Sequence, residues 1–368
     1  MSSRRLRGLG RWLLAGAAVL LLLAATALAV SADARFVARA GYEEVRLLLR
    51  RRPLENLIAS PATSEARKAR FALVLAARAF GVDTLNLKVG KTYTAFVDVG
   101  RDTLVLVLSA SPRFRLEEYT WRFPVVGAVP YHGYFSLAAA NREAARMASR
   151  GYDTYLRPAG AFSTLGWFGD PLFSTALSRD SSQLVETVLH EVTHNTLWVP
   201  GSVAFNESLA MFVGFRSAER FFRSRGEVAL ADRTAAAWED EKLLAQFYDH
   251  LAGALDSLYG SKADSTGMGA ARDSIFARAR ERLGGPLRRA LTTYSVDWLL
   301  SQPLNNATVV AARVYRTKLD LFDRVLQAHG GDVRAATAAI FKAVPAKHDT
   351  DPYLAVAALV KPANPAAR

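Results

Sequence analysis

Cysteine is absent from all 368 residues, so no disulfide can staple any part of this chain. That absence does not fix the compartment, because a chain without thiols loses nothing in reducing or oxidising surroundings. Acidic residues are outnumbered, with 34 Asp and Glu against 47 Lys and Arg, and the formal net charge is +13. Such a balance raises nucleic-acid binding, but no compact basic motif accompanies it, and nucleic acid is set aside as a partner. The densest cluster, Arg46, Arg50, Arg51 and Arg52, has the spacing of a solvated helix face. No internal repeat is present. Hydrophobic residues make up 51%, enough for the core of one large domain or two modest ones.

Long apolar runs are missing except at the N-terminus. There Arg4, Arg5, Arg7 and Arg11 precede Trp12 to Val30, which carries no charge and is just long enough to cross a bilayer as a helix. The positive flank predicts that the remainder of the chain lies outside the cytoplasm. Ala27-Leu28-Ala29 and Ala32-Asp33-Ala34 both resemble signal cleavage sites. The apolar stretch exceeds a usual signal core, which favours a retained inner-membrane anchor over release to the periplasm. Residues 1–34 therefore read as signal or anchor, 35–360 as the folded domain, and 361–368 as a disordered tail.

Within that domain the expected class is α+β. Residues 33–50 read as helix, Pro53 opens a short helix, and Thr63 or Ser64 caps another that runs to Gly81. Residues 85–180 contain the strand material. Thr94–Val99 and Thr103–Leu108 read as a hairpin around Gly100-Arg101-Asp102, with more strand in Thr120–Phe135 and Tyr152–Leu156. Ser136 caps a helix between them. Residues 181–345 read as almost wholly helical, interrupted at Gly260–Gly269 and Gly284-Gly285-Pro286. Asn305-Asn306 opens a helix through Tyr315 and Phe322 to Gly330, and Asp332 caps the next.

Histidine is scarce at six residues, yet two of them fall in one run, His190-Glu191-Val192-Thr193-His194. Four apart on a helix, they project from the same face. Leu184, Val185, Val188, Leu189 and Val192 give that helix an apolar face, and Ser181 or Ser182 can cap it. A zinc ion held by two imidazoles needs a third ligand and an open position for water. Glu191 is placed to take a proton from that water. Pro200-Gly201 marks a helix–turn–helix connection, with His194 six residues before Pro200 and Glu207 six after Gly201. Residues equidistant from such a turn lie at one height, so Glu207 can face the histidines as third ligand of one Zn2+. Glu186 and Glu219 lack that symmetry and read as surface residues. Asn206 has two readings, a backbone hydrogen bond near the site or a helix-entry residue.

At these residues the chain resembles the bacterial putative aminopeptidase family, membrane-associated metallopeptidases of the gluzincin type. The resemblance is carried by Ala161–Pro171, His190–His194, Ala204–Ala210, Thr120–Phe135 and Pro303–Ala307, and covers roughly residues 41–345. It implies a zincin-like fold, zinc at His190, His194 and Glu207, Glu191 as general base, and a peptide substrate. The chain departs from the family in its lack of cysteine. Arg122 and Ala128 stand where paired cysteines are expected, and no lipid-bearing cysteine follows the apolar segment.

Other roles are assigned by position. Residues 162–170 are the candidate substrate-binding edge strand, and Asp170 is a candidate anchor for the substrate amine. Candidates for the oxyanion donor are Tyr315 first, then Tyr131, Tyr134 and His132. His250, His329 and His348 lack ligand spacing. Two alternatives stay open: an endopeptidase or other zinc hydrolase on the same site, and a catalytically degenerate envelope scaffold or binding protein without stoichiometric zinc.

Overall fold

The computed structural model describes residues 31–101, 103–123, 127–159, 169–177, 179–261, 265–345 and 350–360, with single helical positions from Trp12 to Val30. Two compact units are present. The first is Met1–Arg51 with Phe123–Val125, and the second is Arg52–Arg122 with Val126–Arg368. In the first unit, helix α1 (Ala32–Leu49) matches the expected helix and carries an Arg39–Glu43 ion pair one turn apart. Among the described residues no helix is long and apolar enough to cross a membrane, and the expected anchor Trp12–Val30 lies mostly outside them.

The second unit opens with β1 (Arg52–Pro53), α2 (Leu54–Ala59) and α3 (Glu65–Asp83), the last capped by Ser64 as expected. The strands β2 (Ala95–Val97), β3 (Val105–Pro112), β4 (Trp121–Phe123), β5 (Gly127–Val129) and β6 (His132–Tyr134) come next. Helix α4 (Leu137–Ser149), capped by Ser136, leads to β7 (Tyr152–Ala159). The expected hairpin does not form. β2 joins a sheet of order β1-β2-β8, where β8 is Leu172–Phe173, while β3 is the centre of a sheet of order β6-β3-β7. The reason lies in burial: Phe96 and Val97 pair with Leu172 and Phe173 in one core, whereas β3 pairs along its whole length with β7. Gly100 takes a left-handed φ of +69° and turns the chain between the sheets rather than within one.

After α5 (Ser174–Leu177) the unit is helical: α6 (Ser181–Thr196), α7 (Val203–Ser224), α8 (Val228–Tyr259) and α9 (Ser265–Arg282). The loop before α9 is therefore shorter than the glycines suggested. Gly284-Gly285-Pro286 sits in a π-helical turn, Leu283–Leu287, where proline removes a ladder hydrogen bond and the helix widens. Helices α10 (Arg288–Ala290), α11 (Val296–Ser301), α12 (Asn306–Tyr315), α13 (Leu319–Ala328), α14 (Val333–Ala343) and α15 (Pro352–Ala358) complete the unit. The single helix expected from Asn306 to Gly330 is two. Ser208 donates to the Tyr315 carbonyl at 3.1 Å and accepts from Thr317 N at 3.1 Å, and Lys318 is left-handed with φ +54°. A side chain from another helix thus takes over the ladder where α12 ends.

Packing explains why α6 and α7 stand together. Leu184, Val185, Val188, Leu189 and Val192 of α6 are all 0% exposed, and Phe205, Leu209, Phe212 and Val213 of α7 are at most 1%. These residues share one core with α3, α13 and α14. A second cluster joins α8, α9 and α12 through Leu244, Leu255, Phe276 and Val309.

Candidate metal centre

The helix carrying the histidine pair begins with Asp180, not the expected serines; its side chain accepts from Gln183 N at 2.9 Å. Ser182 instead donates to Asp180 at 2.7 Å, so the serine serves the cap rather than being it. At the other end Lys88 N donates to Thr196 Oγ1 at 2.9 Å, and Asn195 donates to Thr92 Oγ1 at 2.9 Å. Both ends of α6 are thereby fixed.

The turn to α7 is fastened by Asn206, which is 1% exposed. Its side chain accepts from Val199 N at 2.9 Å and donates to Val199 O at 2.9 Å. The backbone reading of Asn206 holds, and the clamp sets the register of α7 on α6. Gly201, with φ +79°, makes the reversal possible. His190 Nε2 lies 3.2 Å from His194 Nε2 and 3.3 Å from Glu207 Oε2, and His194 Nε2 lies 3.8 Å from Glu207 Oε1. One donor atom from each of the three residues falls within 4.8 Å of the others.

That spacing is what a cation asks for. Metal–nitrogen bonds of about 2.0–2.1 Å at tetrahedral angles put donor atoms roughly 3.3 Å apart. Two imidazoles and one carboxylate make a mixed N/O donor set suited to a divalent transition metal. Burial and neighbouring charges set the protonation of the cluster. Burial disfavours a charged His190, but Glu207, by hydrogen bond and charge, with Glu191 and Glu186, raises it to about 9. His194 is pushed down to about 4 by burial and by the neighbouring His190. Burial works against ionised Glu207, yet His190, His194 and Arg157 lower it. Glu191 is driven up to about 7 by burial; His190 opposes that shift, while Glu207, Asp170 and Glu186 add to it.

Glu186 is not the surface residue expected. Its Oε1 lies 3.7 Å from His190 Nδ1, and Thr187, held in turn by Arg179, donates to Glu186 Oε2 at 3.4 Å. The signal was available in the sequence, since Glu186 precedes His190 by one helical turn. Glu219 does pair with Arg216 and Arg223, away from the triad. Gly214, seven residues past Glu207 on the same face, lets α7 come close to α6. A Cβ there would stand 3.0 Å from Glu186 O and Oε1 and 3.3 Å from His190 Cβ.

Around the triad stand further polar groups. Arg157 of β7 donates to the Tyr315 hydroxyl at 3.5 Å and lies over its ring at 5.5 Å. Tyr315 is pushed to about 12 by burial and by Glu207. Tyr131, 46% exposed at its surface, is raised by partial desolvation and by Glu207 as well, so two of the three expected tyrosines lie within electrostatic range of that carboxylate. Asp170 acts in the same way on Glu191 and on Tyr93, a buried residue with a left-handed φ of +56° whose N–H donates to Asp170 O at 2.8 Å. Neither Arg157 nor Tyr93 was foreseen, and no local pattern marks either. His132 is buried and stacks on Tyr134 at 4.3 Å within β6. Residues 162–168, most of the candidate edge strand, lie outside the described residues, as does His348.

The family whose sequence pattern the chain matches is described as putative aminopeptidase; the match spans residues 35–350 and takes in the whole triad. No curated protein and no solved structure matches the chain.

Proposed function

The chain belongs to the putative aminopeptidase family, and from that premise we propose that it hydrolyses peptides at a zinc ion held by His190, His194 and Glu207. The observation that carries the proposal is the convergence of two imidazoles and one carboxylate within 4.8 Å, with the half-buried Glu191 on the same helix. The helix pair and the small sheets are consistent with a zincin-like arrangement.

Bound zinc would supply Lewis-acid polarisation of the scissile carbonyl and of the attacking water. The protein's part is proton transfer and positioning. Glu191, with a carboxyl raised to about 7, is poised to take a proton from water and return it to the leaving amine. Tyr315 keeps its proton at neutral pH and accepts a hydrogen bond from Arg157, so its own O–H is left to donate to the oxyanion. Asp170, in electrostatic range of Glu191, is the carboxylate we assign to the substrate's free amine. The N-terminal arginines and apolar segment are the basis for placing the domain on the periplasmic face of the inner membrane.

Metal content of the purified full chain tests the reading. One zinc per wild-type chain is expected, with sharp loss in Glu207→Ala. A folded wild type that takes up no zinc when it is supplied overturns the proposal. Turnover of peptides with free but not acetylated N-termini separates the aminopeptidase from an endopeptidase.

A further inference from the structure

Buried and half-buried arginines elsewhere in the chain are met by carboxylates or by backbone carbonyls; Arg78 donates to Thr92 O at 2.6 Å and Arg280 to Leu300 O at 3.0 Å. Arg216 meets Asp323 at 2.9 Å, Arg316 meets Glu241 at 2.6 Å, and Arg272 pairs with Asp153. Arg157 breaks the pattern. It sits on β7 opposite Val107 of β3, half-buried, and among the described residues neither a carboxylate within 4.0 Å nor a backbone carbonyl receives its side chain. The guanidinium rests instead against the hydroxyl and ring of Tyr315. A guanidinium drawn out of water without a counter-ion is costly, and such sites persist when an anion is to be received.

Its position says which anion. Tyr315 is held beside Glu207, because Ser208, the next residue on α7, donates to the Tyr315 carbonyl at 3.1 Å. Arg157 thus stands over a residue fastened next to the triad, within electrostatic range of Glu207. Once Glu207 ligates a cation its charge is committed there, and Arg157 is left as an uncompensated positive group beside the reacting bond. A planar five-donor fork matches a carboxylate with two parallel hydrogen bonds.

Resting on the peptidase reading above, we propose that Arg157 is a specificity residue that binds a carboxylate of the substrate, so that the preferred substrates are short or acidic peptides with a carboxylate near the scissile bond. The carboxylate is either the peptide's own C-terminus or an Asp or Glu side chain.

Calorimetric titration of the full chain carrying Glu191→Gln decides the matter without turnover. The probes are Gly-Gly against Gly-Gly-amide, and Ala-Asp-amide against Ala-Asn-amide. We expect one carboxylate probe to bind about 10- to 100-fold more tightly than its neutral twin, the range for a charged hydrogen-bonded pair. The pair that shows the difference names the source. Arg157→Met should level the two twins, and Arg157→Lys should keep a reduced preference. Equal binding of both twins to the parent chain overturns the proposal. So does a preference that survives Arg157→Met, since the carboxylate would then sit elsewhere. If Arg157→Met does not fold, an unchanged preference in Arg157→Lys overturns it. Each titration is run with and without zinc. A chain that takes no zinc fails the peptidase reading, while the metal-free titration still reports on Arg157.

Discussion

Adding one methyl group at Gly214 should damage the candidate centre from behind. The new Cβ would stand 3.0 Å from both the carbonyl and Oε1 of Glu186, and 3.3 Å from His190 Cβ. The carboxylate end of Glu186 can swing away, but the carbonyl belongs to the α6 ladder and cannot. Helices α6 and α7 must therefore separate by a few tenths of an ångström, or His190 must shift. Overpacking of this kind costs about 1–3 kcal/mol. Displacing the group behind a ligating imidazole lowers metal affinity by roughly 10- to 100-fold. Gly253→Ala in α8 is the matched control. Nothing lies within 4 Å of its added Cβ, so helix propensity alone should act and stabilise by about 1 kcal/mol. Urea unfolding and chelator competition, run on both variants, read the two quantities. Gly214→Ala as stable as Gly253→Ala, with undiminished metal affinity, would refute the idea that this close approach seats His190.

Three further outcomes rest on named contacts. Asn206→Ala leaves the buried Val199 N–H unpaired and its C=O with Ser202 N alone at 3.2 Å, which should cost about 1–3 kcal/mol in urea unfolding and weaken metal binding. Glu191→Gln should keep the metal and the fold while peptide turnover falls by about 10²–10⁴, measured as kcat on the zinc-loaded chain. Asp323 accepts from Trp238 at 3.0 Å, Lys242 at 2.7 Å and Arg216 at 2.9 Å; burial opposes its ionisation, yet these partners hold its pKa below the usual carboxylate value. A depressed folded pKa stabilises above the unfolded value and loses that stability as pH falls through the folded one. The stability gap between wild type and Asp323→Asn, about 3–5 kcal/mol at pH 7, should therefore close as pH drops below about 4.

What could be read from the chain divides by the range of the interaction. The triad was legible because its parts are local: a four-residue helical spacing and a turn whose symmetry puts Glu207 level with His194, an arrangement the 3.2–3.8 Å donor spacing bears out. Glu186 was misread although its signal was equally local, because symmetry about the turn singles out Glu207 and is blind to the neighbour one helical turn back. The β2–β3 hairpin failed for a different reason. Strand character around Gly100 says only that the chain reverses, and the partner of each strand lies 40 to 76 positions away. The break between α12 and α13 belongs to the same class. Its cause is Ser208, 107 residues from the carbonyl it captures, and no glycine or proline announces it.

Arg157 is the extreme case. Its sequence neighbourhood is an ordinary strand, and what sets it apart is that among the described residues only Tyr315 meets its guanidinium, which only the assembled fold can reveal. Such a residue is invisible to pattern reasoning, because periodicity reports which face a side chain takes and not whether its charge is met there. Local spacing thus identifies the groups that would hold an ion and move a proton, whereas the groups that choose among substrates arise where distant elements meet. In this chain the chemistry of the reaction is legible before the identity of the substrate. The anion preference proposed for Arg157 is accordingly the reading that leans most on the three-dimensional arrangement.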